Sequence, residues 1–204
     1  INIHASLLPK WRGASPVQHV LLNNEKETGY TFIMMNEGLD EGNILYKEMI
    51  DIDITDTYIT LLDKIINSAS KILIKKVEEL ADDIIKPTVQ IHNEASYCYK
   101  IEKEDTYLKF DTSAQEVLGK IRAFSPNPGA KFFLEGELIK ILDAKIEDNS
   151  KFNKKIGCVT DDSLLISCKY GFIRLIKIQR KSINIVLNLN FSYKQQRGRY
   201  SKIT

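Results

Sequence analysis

The stretch Asn2-Ile3-His4-Ala5-Ser6-Leu7-Leu8-Pro9-Lys10-Trp11-Arg12-Gly13-Ala14-Ser15-Pro16 decides how the first half of this chain is read. Asn2 and His4 stand two apart in a short β-like run, so their side chains share one face. Two prolines and a glycine between Ser6 and Pro16 break regular structure and make a loop. Ser15 and Pro16 then supply an N-cap and a first-turn proline for a helix through Val17, Val20, Leu21 and Leu22, ended by Asn23-Asn24. A strand feeding a loop and then a helix points to an α/β sheet, where ligands sit beyond the carboxyl ends of strands.

Outward from that stretch, Tyr30 to Met35 is a nearly all-apolar run and reads as a strand buried on both faces, in a sheet covered by helices. Glu37-Gly38-Leu39-Asp40-Glu41-Gly42 is a turn. Ile44 to Ile54 reads as a second strand, with Tyr46, Glu48 and Ile50 on one face and Leu45, Lys47 and Met49 on the other. Thr55, Asp56 and Thr57 are alternative N-caps for a long amphipathic helix. Its apolar positions are Ile59, Leu62, Ile66, Ala69, Leu73, Val77 and Leu80.

Pro87 and a lack of periodicity make residues 84–102 a linker between a first domain, 1–83, and a second, 103–180. In the second, a helix is predicted over Ser113–Ala123, stopped by Ser125-Pro126-Asn127-Pro128-Gly129. Short β-like runs follow at Ala130–Leu134, Glu137–Ala144, Lys155–Thr160, Ser163–Lys169 and Phe172–Ile178, with turns at Glu135-Gly136 and Tyr170-Gly171. Five short strands fit a small OB-like β-barrel. Residues 181–204 form an atypical basic tail with no assignable element.

Composition is ordinary for a globular protein, at 43% hydrophobic and 27% charged residues. No apolar run is long enough to span a bilayer, and no membrane partner is expected. Cys98, Cys158 and Cys168 have no CxxC spacing, which argues against a disulfide framework or a metal site and for a reducing, cytoplasmic setting. The net charge of +2 is unevenly divided: nine of the 29 Lys and Arg, and none of the 27 Asp and Glu, lie between Ser163 and Thr204. Such asymmetry suggests either a C-terminal part that meets a polyanion or a solvated basic surface.

Asn2, His4 and Asp40 are the candidate chemical groups. Asp40 lies between two glycines after a buried strand and can reach the crevice that Asn2 and His4 face. An amide, an imidazole and a carboxylate suit acyl transfer to an amine. Attack on a carbonyl creates an oxyanion, which His4 and the Asn2 amide can stabilise. It also creates an ammonium proton, which a carboxylate can accept directly or through water. Spacing and chemistry reach as far as an acyl-transfer site in an α/β domain, and a structural His4 with a turn-forming Asp40 is the competing reading.

The segment Asn2 to Pro16, continued through Thr28-Gly29-Tyr30-Thr31 to Gly38-Leu39-Asp40-Glu41-Gly42, closely resembles the signature of folate-dependent formyltransferases. The resemblance implies the C-terminal part of a Rossmann-like formyltransferase domain, with Asn2, His4 and Asp40 as catalytic residues. It implies 10-formyltetrahydrofolate as co-substrate and Ser6, Leu7, Leu8 and Pro9 as its binding loop. Three acceptors occur in such enzymes: a purine-pathway ribonucleotide, an amino sugar, or the methionine of charged initiator tRNA.

Tyr99-Lys100-Ile101-Glu102-Lys103-Glu104, then Ala114, then Ile121 to Ala130, resembles the start of the C-terminal domain of the tRNA-dependent members. That implies formyl transfer to methionyl-tRNA for translation initiation by a monomer, with the basic second domain contacting the RNA. An amino-sugar formyltransferase and a residual RNA-binding module without catalysis are the alternatives. The family carries further residues upstream, which complete the sheet and the folate pocket. A chain without them is expected to fold poorly in that half and to turn over slowly or not at all. After Lys181 the sequence departs from the family pattern.

Overall fold

The computed structural model describes residues 1–148, 155–180 and 186–188. They divide into two compact units: Ile1–Leu21 with Glu25–Ile101, and Leu22–Asn24 with the chain from Glu102 onward.

The first unit is built on three strands, β1 (Asn2–His4), β3 (Glu27–Ile33) and β4 (Ile44–Asp51), in the order β1-β3-β4. Between β1 and β3 lie the two-residue strand β2 (Arg12–Gly13) and helix α1 (Pro16–Leu22). Both neighbouring strand pairs are antiparallel, where a doubly wound sheet leads one to expect parallel neighbours. Side-chain alternation carries no information about strand direction, so this could not be read from the pattern.

Central β3 is buried from Thr28 to Ile33, as its composition predicts. One face carries Tyr30 and Phe32, whose rings meet each other and Tyr46 of β4 at centroid distances of 5.7–6.4 Å. Helix α2 (Tyr58–Ala81) meets this face, with Ser68 3.2 Å from the Tyr30 hydroxyl and bonded to Glu48 at 2.6 Å. The other face carries Thr31, which the loop after His4 covers. A run that alternates aromatic and small residues is therefore buried twice over, by a helix and by a proline loop.

Two boundaries and one buried face differ from expectation. The first strand ends at Ile33, not Met35: a register irregularity follows Phe32, and Met34 and Met35 are exposed in the loop before Asn43. The second ends at Asp51, not Ile54, because Asp53 and Asp56 draw the backbone into a turn, with Asp53 N–H donating to Asp56 at 2.7 Å and Thr55 N–H to Asp53 at 2.9 Å. Helix α2 starts where expected, capped by Thr57 in a capping box with Thr60. Its buried line, however, is Leu61, Ile65 and Ala69, while Ile59, Ile66 and Val77 are 41%, 52% and 42% exposed. Apolar residues cover more than one stripe of this helix, so periodicity gives the helix but not its buried arc.

Residues 84–101 lie within the first unit. Thr88 exchanges two backbone hydrogen bonds with Ile44, and strand β5 (Tyr97–Cys98) pairs in parallel with β2.

In the second unit, α3 (Ala114–Phe124) is capped by Ser113 in a capping box with Glu116. Its buried side chains, Val117, Leu118, Ile121 and Phe124 among them, face an antiparallel sheet. β6 (Ala130–Leu134) and β7 (Glu137–Glu147) form a hairpin across Glu135-Gly136, both residues at positive φ, as the turn residues predict. β7 runs three residues past the expected end, with a register irregularity around Leu142, whose carbonyl accepts from the Ser125 hydroxyl at 2.7 Å. β9 (Phe172–Arg180) pairs with β7 along its length. On its other edge it takes β8 (Leu165–Ser167) at one end and β10 (Val186–Asn188) at the other. Of the expected strand Lys155–Thr160, Cys158 and Val159 pair only as isolated bridges, Val159 with Ile166, after a left-handed Gly157, and the backbone from Gly157 to Thr160 hydrogen-bonds β8 at Ser167 and Leu165. The fifth strand comes instead from the stretch after Lys181 that sequence left unassigned; the rest of that tail lies outside the described residues. Among the described residues, no helix is long and apolar enough to cross a membrane.

Candidate active site

Asn2 and His4 lie on the β3 face that carries Thr31 and Ile33, because their cross-strand partners are Ile33 and Thr31. The turn after β3 brings Asp40 to the same place. Asp40 Oδ1 accepts from the Asn2 amide at 3.5 Å, and Asp40 Oδ2 stands 3.4 Å from His4 Nδ1. The three residues singled out from sequence therefore converge, 38 and 36 positions apart.

His4 is buried, and its Nε2 lies 2.8 Å from the Trp11 carbonyl. A carbonyl only accepts, so Nε2 carries the proton. Nδ1 meanwhile faces a carboxylate.

Asp40 sits at φ 52°, in the left-handed region, and its Oδ2 also accepts the Gly13 N–H at 2.9 Å. Gly13 is forced: at φ 114° any Cβ would collide with the Cys98 carbonyl across the β2–β5 pair. Gly42, which closes the Asp40 turn, is equally constrained by the Met34 carbonyl.

The loop Ser6-Leu7-Leu8-Pro9 is held by Thr31, whose hydroxyl donates to the Ser6 carbonyl at 2.7 Å and accepts the Leu8 N–H at 3.1 Å. The Ser6 hydroxyl turns inward to the Lys10 carbonyl at 2.6 Å, and Lys47 reaches the Leu8 carbonyl at 3.3 Å. The side chains of Ser6 and Leu8 are fully buried and build the loop; those of Leu7 and Pro9 are part-exposed.

Two residues that sequence reasoning passed over belong to the same assembly. Arg12 is fully buried; its guanidinium bonds Gln90 through Nε at 3.1 Å and Nη2 at 2.7 Å, and Glu41 through Nη1 at 3.2 Å. Gln90 in turn donates to the carbonyls of Asp40 and Gly42, both at 2.8 Å. Gln90 lies in an aperiodic stretch and its partners are 78, 50 and 48 residues away, so no local signal marks it. Cys98, the one cysteine near the site, is buried; burial pushes its thiol above the ordinary value, which leaves no ready thiolate nucleophile. The site is thus suited to a reaction in which the substrate supplies the nucleophile.

In the second unit the basic excess is partly neutralised. Arg174 bonds Glu147 at 2.8 and 2.9 Å and Asp161 at 2.8 Å, and Arg180 pairs with Glu137. Lys181, Lys194, Arg197, Arg199 and Lys202 lie outside the described residues.

Residues 1–77 match the family model described as formyl transferase, and residues 100–191 match that of the formyl transferase C-terminal domain. The methionyl-tRNA formyltransferase of Kosmotoga olearia is 42% identical over 182 residues, covering 87% of this chain and 58% of the relative. That of Francisella tularensis subsp. novicida is 39% identical over 196 residues, covering 93% and 62%. An N-formyltransferase from Helicobacter canadensis, solved with folinic acid and dTDP-3-aminofucose, shares the fold at a TM-score of 0.71 and 23% identity, over 85% of this chain and 64% of that one. The chain thus spans about three-fifths of the length of the curated relatives it matches. On the two matched domains and these relatives, the chain belongs to the formyl transferase family.

Proposed function

We propose that this chain serves transfer of the formyl group of 10-formyltetrahydrofolate to the amino group of methionyl-tRNA, for translation initiation. The observation that carries the reading is the meeting of Asn2, His4 and Asp40 at one point of a fold whose sequence is about 40% identical to methionyl-tRNA formyltransferases. The methionine amine attacks the formyl carbon, and a C–N bond forms as the carbonyl becomes an oxyanion. His4 and the second N–H of the Asn2 amide stabilise that charge. Asp40, directly or through water, takes the proton from the new ammonium and passes it to folate N10 as the carbonyl re-forms and the bond from N10 to the formyl carbon breaks. The folate lies against the Ser6–Pro9 loop, touching Leu7, Pro9 and the loop backbone.

The domain reading goes with this function. Residues 1–83 form the C-terminal part of a Rossmann-like catalytic domain, and 84–102 lead to the second domain while packing as part of the first unit up to Ile101. Residues 103–180, together with the strand Val186–Asn188 from the expected basic tail 181–204, form an OB-like domain that contacts charged initiator tRNA. The enzyme works as a cytoplasmic monomer. Helix α3 packed on a five-stranded antiparallel sheet supports the barrel reading.

The test is transfer by the natural gene product from labelled 10-formyltetrahydrofolate to charged initiator tRNA. Formyl-methionyl-tRNA is expected, with kcat lowered about 10²–10⁴-fold in His4→Ala and Asp40→Asn while folate binding is retained. Transfer to an amino sugar but not to tRNA overturns the acceptor. RNA binding without transfer overturns the catalytic reading.

A further inference from the structure

We infer that Gln90 is the positioning residue that places Asp40, by tying the backbone of the Asp40 turn to the buried Arg12 guanidinium. The inference rests on the proposed role of Asp40 in formyl transfer.

Gln90 is 3% exposed, and each polar atom of its amide is used. The oxygen accepts two N–H groups from Arg12, at 3.1 and 2.7 Å, and the nitrogen gives its two protons to the Asp40 and Gly42 carbonyls, each at 2.8 Å. A guanidinium only donates and a carbonyl only accepts, so the amide has one orientation here. No other side chain of this size both accepts from a guanidinium and donates twice to carbonyls.

The consequence for Asp40 is geometric. Its φ of 52° is uncommon for residues other than glycine, although Asp and Asn tolerate it best, so contacts that hold this turn matter to where the carboxylate points. Gln90 holds the Asp40 main chain from one side. From the other side the Gly13 N–H holds the Asp40 carboxylate at 2.9 Å, and Gly13 follows Arg12, the other partner of Gln90. One amide thereby fixes both the turn that carries the carboxylate and the strand that receives it. The charge balance agrees. Glu41 already pairs with Arg12 at 3.2 Å, so a neutral group is required at position 90. A glutamate there keeps the shape and the bonds from Arg12, but turns an anion toward two carbonyl oxygens.

The test is proton–nitrogen NMR on the full chain, which does not depend on turnover. In the native protein the two side-chain amide protons of Gln90 are expected to exchange with solvent far more slowly than those of exposed glutamines. Fast exchange overturns the inference without any variant. In Gln90→Glu the Gly13 amide proton is expected to move upfield, toward its position in Asp40→Ala, because the carboxylate has left it. A Gly13 resonance unmoved in Gln90→Glu, with only the melting temperature lowered, makes Gln90 a packing residue and overturns the inference.

Transfer kinetics supply the second readout: kcat of Gln90→Glu is expected to fall about 10²-fold with KM for folate unchanged. A matched rise in KM with kcat unchanged overturns positioning. If the wild-type protein itself transfers no formyl group, the functional reading fails while the NMR result on Gln90 and Asp40 still stands, so the two failures are told apart.

Discussion

Thr31 lies opposite His4 in the β1–β3 pair, and its hydroxyl bonds the main chain of the Ser6–Pro9 loop, giving one bond to Ser6 and taking one from Leu8. Thr31→Val keeps the shape and removes both bonds, leaving a buried carbonyl and a buried N–H without that partner. The change is expected to cost about 1–3 kcal/mol in urea unfolding, and to raise KM for folate more than it lowers kcat. An unchanged KM would show that the loop keeps its form without Thr31. At this scale the sequence was most informative where chemistry and spacing coincide: Asn2 and His4 share a strand face by the two-residue repeat alone, and both reach Asp40. It was least informative for Arg12 and Gln90, whose roles depend on partners that no local pattern connects.

At the scale of elements, α2 separates the information in periodicity from the information in packing. The regular apolar spacing and the Thr57 cap both place the helix correctly. Of the expected line, Ala69 is buried and Leu62, Leu73 and Leu80 are half-buried, but Ile59, Ile66 and Val77 are exposed, and the buried Leu61 and Ile65 lie off it. Leu61→Ala is therefore expected to destabilise the chain by about 2–5 kcal/mol, since it empties a fully buried site. Ile66→Ala, at 52% exposure, should change stability by less than about 1 kcal/mol. Equal losses in thermal melts of the two variants would mean that both stripes are packed in solution. Strand composition told less than the turn residues. Glu135-Gly136 closes its hairpin as read, but Lys155–Thr160, with β-like composition, turns at Gly157 and keeps only bridge pairing beside β8, while the fifth strand is Val186–Asn188, paired with β9.

For the molecule as a whole, the second unit ties its sheet edge together through Arg174. Its hydrogen bonds lower Glu147; for Asp161, burial alone would raise the carboxyl, but Arg174 and the Leu165 and Ser163 N–H groups overcome it. Both carboxylates thus titrate below their ordinary range in the folded chain. Their contribution is complete above that range and disappears as pH falls through the lowered values. Arg174→Gln is expected to cost about 1–2 kcal/mol at pH 7, less than a fully buried pair because Glu147 and Asp161 remain 33% and 31% exposed. The gap between variant and wild type in urea midpoints should narrow below about pH 4. A gap of constant size down to pH 3 would show that Arg174 acts by packing rather than charge.

By itself, the order of residues along this chain determined the presence of two folded parts, the turns and caps, the buried central strand and the three groups of the candidate site. These are local or short-range properties, set by side-chain period, backbone preference and the chemistry of one motif. Only the tertiary structure decided the antiparallel pairing, the buried arc of α2, the origin of the fifth strand and the Arg12–Gln90–Asp40 linkage. Each of these depends on which distant surface a segment meets, and the energy of that meeting belongs to the pair rather than to either segment's own sequence.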